Sequence, residues 1–153
     1  MVRQVSFSQT VFASPPLKFE AGTSNVAGAA GLKAAIDYIN GLGLNRIATY
    51  EKGLLEFALR RLETVDGLRV FGEPQCGLLS FDLAGVHPHD AGDVLDKLGI
   101  AVRTGTLCAE PLMRHLGVSG TIRASLAFYN TEEEIERLVA GLKKARELFG
   151  NGL

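Results

Sequence analysis

The chain has no tryptophan, only two cysteines and three histidines, and no long run of charge of one sign. Each scarcity removes a class of protein. Cys76 and Cys108 are too few and too far apart for a disulfide framework, so both read as free thiols of a reducing compartment. No Cys-x-x-Cys or His-x-x-x-His spacing involves them or His87, His89 and His115, so no metal site is expected. The 16 Lys and Arg are interleaved with 17 Asp and Glu, and no basic run exceeds Lys143-Lys144. That pattern offers no nucleic-acid face. The most apolar stretch, Val26 to Ile39, is broken by Lys33 and Asp37 and falls short of the roughly 18 apolar residues of a spanning helix, so no membrane partner is expected. The opening Met1-Val2-Arg3-Gln4 lacks the apolar core of a signal peptide, which points to a cytoplasmic chain.

What is present suits one ordinary core: 46% of the 153 residues are hydrophobic and 22% charged. Residues 1–25 read as an extended entry segment, with alternation in Val5-Ser6-Phe7-Ser8 and a block to regular structure at Pro15-Pro16. From Val26, the small and apolar residues Ala29, Ala30, Leu32, Ala35 and Ile36 predict a helix that ends near Gly41 and Gly43 and packs closely on another surface. Asn45 is the expected N-cap of a second helix, with Ile47, Tyr50, Leu54, Phe57 and Ala58 on one face, running to about Val65.

The period then changes. Leu68 to Phe71 and Leu78 to Leu83 read as a hairpin. His87 to Leu98 returns to helix, with Asp90 favouring the N-terminal end of the helix dipole, so His87 and His89 receive a structural role. A short strand is expected at Ile100 to Arg103, then a loop with Cys108, then a strand at Thr121 to Leu126. Thr131 and Glu134 form a capping box for a last helix that buries Ile135, Leu138, Val139, Leu142 and Phe149. The sum is an α+β fold, a small and mainly antiparallel sheet with helices packed on it. Residues 26–150 form this domain and 151–153 a tail.

Two segments carry chemistry. In Arg103-Thr104-Gly105-Thr106-Leu107-Cys108-Ala109-Glu110-Pro111, a cysteine follows a glycine-containing loop with an arginine five residues earlier. This suits an exposed nucleophile whose thiolate is favoured by nearby positive charge and helix N-terminal amides, or alternatively a small buried residue starting a short helix. In Thr121 to Thr131, Arg123 stands inside an otherwise apolar strand. A buried guanidinium needs a carboxylate, whether of a ligand or of a structural salt bridge.

Phe19-Glu20-Ala21-Gly22-Thr23, then Arg103-Thr104-Gly105 with Cys108-Ala109 and Pro111, then Arg123-Ala124-Ser125 with Tyr129-Asn130-Thr131 resemble three signature blocks of SufS-type cysteine desulfurases, in the class V aminotransferase group. The resemblance runs from about Val5 to Gly150. It implies the C-terminal small domain of a fold-type I pyridoxal-phosphate enzyme, with residues 1–25 left from the large domain. It also implies sulfur transfer from L-cysteine, or selenocysteine in some members, with release of alanine. An acceptor protein then takes the sulfur for iron-sulfur cluster assembly. By the same resemblance Cys108 accepts sulfur, Arg123 binds the substrate carboxylate, and Arg103 is a second active-site arginine. Thr23, with Gly22 beside it, reaches the cofactor phosphate of the neighbouring subunit in a homodimer.

The chain departs from the family pattern in three ways. Thr106-Leu107 stands where many relatives have His-His, so thiol activation is expected to differ. Ser24 follows Thr23 where many have proline. None of Lys18, Lys33, Lys52, Lys97, Lys143 and Lys144 follows a histidine, as the family's Schiff-base lysine does, so the isolated chain is expected to be inactive, whether cloned fragment or natural truncation. The other readings are the small domain of a selenocysteine lyase-like enzyme and a non-catalytic sulfur-relay or binding module.

Overall fold

The computed structural model describes residues 1–149. They divide into two compact units that meet in sequence at Gly43, so the first long helix groups with the entry segment.

The first unit opens with a two-stranded antiparallel ribbon, β1 (Val2–Val5) and β2 (Thr10–Phe12), where the sequence led us to expect only extended chain. A short 3-10 turn at Leu17–Phe19 leads on to α1 (Val26–Leu42). Asn25 caps α1, its Oδ1 accepting the Gly28 N–H at 2.9 Å. Gly43, at φ 90°, ends it. The helix has no buried residue, and Leu32, Ile36 and Tyr38 are exposed.

In the second unit α2 (Leu44–Leu62) starts one residue before the expected cap. Asn45 therefore lies inside the helix, and its carbonyl accepts the Thr49 hydroxyl at 2.9 Å. Leu54, Leu55, Ala58 and Leu62 recur at helical spacing and form the buried stripe. The hairpin follows as β3 (Leu68–Val70) and β4 (Leu78–Leu83), then α3 (Pro88–Lys97), β5 (Arg103–Gly105), α4 (Glu110–Leu116), β6 (Thr121–Ser125) and α5 (Glu132–Phe149). The strands pair in the order β3-β4-β6-β5, every neighbour antiparallel.

Two local expectations are corrected. β5 begins at Arg103, three residues later than the Ile100 start expected, because Ile100 and Val102 pack against the core beyond the end of the ladder. Phe149 is exposed, while Ile135, Leu138, Val139, Leu142 and Ala145 carry the buried face of α5.

Burial alternates with a period of two along β4: Leu79, Phe81 and Leu83 are buried, and Leu78, Ser80 and Asp82 lie on the other face. Ile122 and Ala124 of β6 continue the buried face, opposite Phe81 and Leu79. Helices α2, α3 and α5 pack on this side in one cluster. Each fully buried aliphatic or aromatic side chain contributes about 1.5–3 kcal/mol. Arg61 of α2 fixes the helix layer by a bidentate ion pair with Glu136 of α5, at 2.5 and 2.8 Å. The opposite face of the sheet carries Arg69, Asp82, Ser80, Thr121, Arg123 and Arg103.

Candidate functional site

Strand register sets the site. Arg103 of β5 lies directly opposite Arg123 of β6, so both side chains leave the same face, the one away from the helices. Cross-strand like charges repel. Among the described residues neither arginine has an ion-pair partner, although Arg69 on the same face is paired with Asp82 at 3.0 Å. Arg123 Nε is buried and has no hydrogen-bond partner among the described residues, and the same is true of Thr121 Oγ1. Two arginines opposite in register, one with an unmatched buried donor, can offer a place for an anion, and a planar carboxylate matches the guanidinium fork.

Thr121 and Ser80 were not singled out in the sequence. Thr121 lies two residues before Arg123 on the same strand face, and Ser80 is the register partner of Arg123. The period-two alternation through Thr121, Arg123 and Ser125 signals the first; only strand pairing reveals the second.

The chain leaves β5 at Gly105, opposite Thr121, and turns at once. The Ala109 N–H donates to the Thr106 carbonyl at 2.9 Å, with Leu107 at φ 53° and Cys108 at φ 61° between them. Cys108 is exposed, so the thiol is presented rather than packed away. The next residues form α4, the short helix that the Cys108 segment suggested, although Cys108 precedes it exposed rather than buried. Pro111 lies in its first turn and left-handed Gly117 ends it.

Gly22 and Thr23 lie in an exposed bend of the first unit. Gly22 has φ 72°, and a Cβ there would meet nothing within 4 Å. Cys76 is exposed in the β3–β4 connection. His87 caps α3, its Nδ1 accepting the His89 N–H at 3.3 Å, and Asp90 lies in the first turn.

The Tyr129-Asn130-Thr131 block is seen here in an architectural role. The Glu134 N–H donates to Thr131 Oγ1 at 3.3 Å and the Thr131 N–H to Glu134 Oε2 at 3.0 Å, completing the capping box. Asn130 Nδ2 donates to the same carboxylate at 2.9 Å and its Oδ1 accepts the Ala127 N–H. These bonds hold the Glu134 carboxyl below its ordinary pKa, the Asn130 side chain contributing most. A cleft of about 290 Å³ lies between residues 99–102, the end of β6 and the start of α5. It sits at the other end of the strands from Cys108 and contains none of the candidate site residues. Among the described residues no three His, Cys, Asp or Glu side chains group to hold a metal, and no helix is long and apolar enough to cross a membrane.

The aminotransferase class-V family pattern matches residues 1–138. A Xylella fastidiosa protein named "Probable cysteine desulfurase" is 49% identical over 152 residues, which cover 98% of this chain and 36% of that protein. The solved cysteine desulfurase CsdA (S-sulfonic acid) from Escherichia coli superposes with a TM-score of 0.88 at 42% identity, over 97% of this chain and 37% of that one. The apo cysteine desulfurase from Thermococcus onnurineus NA1 gives 0.85 at 38% identity, over 98% and 38%. The chain thus spans a little over a third of the length of these relatives, and the α+β small domain seen here is one that their structures share. On the extent of the family match, this chain belongs to the aminotransferase class-V family.

Proposed function

We propose that the chain is the C-terminal part of a SufS-type, pyridoxal-phosphate-dependent cysteine desulfurase that transfers sulfur from L-cysteine to Cys108. The observation that carries this reading is the Arg103–Arg123 couple, without an ion-pair partner among the described residues, together with an exposed cysteine on the tight turn that leaves β5. Arg123 binds the substrate carboxylate through its planar fork, and Arg103 adds charge on the same face. This fixes the amino acid at one end, and its sulfur is left to meet the Cys108 thiol. A new S–S bond forms on Cys108 Sγ as the substrate C–S bond breaks, leaving a persulfide and alanine. An acceptor protein then takes the sulfur for iron-sulfur cluster assembly.

The residues present fit part of a cofactor site. The open bend at Gly22 and the Thr23 hydroxyl suit a phosphate, here that of the neighbouring subunit in a homodimer. The lysines of the second unit, Lys52, Lys97, Lys143 and Lys144, all lie on helices, so none stands on the arginine face of the sheet. The covalent anchor in this reading comes from the part of the longer relatives that this chain does not span, and the 153-residue chain alone is inactive. Pyridoxal phosphate, when bound, supplies the electron sink for the substrate carbon.

The test joins this chain to the remaining portion of a desulfurase and measures alanine release together with persulfide on the protein. Cys108→Ala should abolish the persulfide, and undiminished sulfur transfer in that variant would end the reading. Faster turnover of selenocysteine than of cysteine would favour a selenocysteine lyase. Sulfur passed through Cys108 without alanine release would favour a relay module.

A further inference from the structure

We propose that His89 is a positioning residue that holds the Cys108 turn in shape, acting through Thr104. The proposal deepens the reading of Cys108 as sulfur acceptor and rests on it for its functional consequence. In the turn Thr106–Ala109 both central residues are left-handed, Leu107 at φ 53° and Cys108 at φ 61°. This is the geometry of a type I′ turn, which glycine and asparagine favour and which disfavours residues that carry a Cβ. Such a turn persists only where its surroundings over-determine it.

Its base is β5, a three-residue edge strand with β6 on one side only. The additional hold comes from α3. Thr104 shares the face of its partner Ile122, toward the helices. Its Oγ1 shares a hydrogen bond with His89 Nδ1 at 3.0 Å. The contact is close along its whole length: a Cβ at Gly92 would lie 2.9 Å from Thr104 Cγ2, and one at Gly105 would lie 3.6 Å from His89 Cε1 and Nε2. The His89 backbone is anchored at the α3 N-terminus, where its N–H donates to His87 Nδ1. The line of support therefore runs from the α3 N-terminus through Thr104 and Gly105 into the turn. Without it, Leu107 and Cys108 relax toward right-handed backbone and the thiol loses its fixed direction.

The test uses the full 153-residue chain, with amide hydrogen exchange at Ala109, whose N–H closes the turn. Iodoacetamide alkylation of Cys108 is read against Cys76, the exposed thiol on the far hairpin, as internal reference. Thr104→Val keeps a strand-favouring shape and removes the hydroxyl. It should accelerate Ala109 exchange by roughly fivefold or more, the factor set by one hydrogen bond of ordinary net worth. It should also change the Cys108-to-Cys76 alkylation ratio, while the β4–β6 amides keep their protection. Thr104→Ser should restore both readouts, and His89→Ala should behave as Thr104→Val does. Leu107→Gly, which removes the cost of the first left-handed position, should lessen the effect of Thr104→Val. Unchanged Ala109 exchange and alkylation ratio in Thr104→Val would overturn the proposal. So would exchange that rises uniformly across the sheet, since that is general destabilisation. Neither readout needs cofactor or substrate, so failure here leaves the desulfurase reading untouched, and failure of that reading leaves the turn measurement standing.

Discussion

Replacing Arg123 by methionine should stabilise the free chain, although it removes a side chain proposed to bind substrate. Arg103 and Arg123 are directly opposite in register with no counter-ion among the described residues. For two unit charges taken at about 8 Å, a reach open to arginines whose Cβ atoms are about 5 Å apart, the repulsion is roughly 0.5 kcal/mol in bulk dielectric and about 2 at the effective value of 20 near a surface. Arg103 is exposed, which places the figure in the lower half of that range. Burying Arg123 Nε without a partner adds a desolvation cost on the order of 1 kcal/mol. Methionine keeps an unbranched stem of similar reach and removes both penalties. Urea unfolding followed by circular dichroism at low salt should therefore show Arg123→Met more stable by about 1.5–2 kcal/mol, with the gain shrinking as salt screens the wild-type pair. Acetate should stabilise the wild type by mass action beyond the effect of chloride at equal ionic strength, and should do so less in the variant. A variant less stable than wild type at low salt, with an unaltered acetate response, would refute the reasoning, because the guanidinium would then have a structural partner.

Three further outcomes follow from the same geometry. Phe81 is fully buried in the centre of the sheet, so Phe81→Ala should cost about 3–5 kcal/mol in urea unfolding. A Cβ on Gly77 would lie 2.2 Å from the Leu126 carbonyl oxygen, so Gly77→Ala should separate β4 from the end of β6. It should destabilise the chain by about 2 kcal/mol or more, visible as lost protection of the Leu126 amide, which donates to the Gly77 carbonyl. The Glu136 carboxyl is held below its ordinary value chiefly by the Arg61 hydrogen bonds, and that of Glu134 chiefly by Asn130. Because the folded values are depressed, this stabilisation is present above the ordinary carboxylate pKa near 4.5 and is lost as pH falls through the lower folded values. Glu134→Gln should flatten the decline of stability in that acidic window, measured by thermal unfolding against pH.

The local elements were legible because periodicity is written in consecutive residues. The α5 capping box at Thr131 and Glu134 and the alternation along β4 each depend on residues within one turn or one strand, while the α2 stripe was legible at Leu54 and Ala58 but not at Leu55 and Leu62, and Tyr50, expected on it, is exposed. Arg123 stood out as a charge in an apolar strand. The start of β5 was misplaced because Ile100 to Val102 has the composition of a strand, and only pairing with β6 decides where the ladder begins. The Cys108 turn was equally hidden, since Leu107 and Cys108 carry none of the glycine or asparagine signal of left-handed backbone.

By itself the sequence determined the helices α1, α2, α3 and α5, the strands β3, β4 and β6, most of their apolar positions, and which side chains are candidates for reactive chemistry. Each of these follows from near-neighbour spacing and side-chain type. Tertiary structure alone decided that Arg103 faces Arg123, that Thr104 meets His89, and that Cys108 sits exposed on a left-handed turn. Those facts depend on strand register and helix placement. Such choices are made by burying Phe81, Leu79 and Ile122 together, and no short stretch of the chain encodes them.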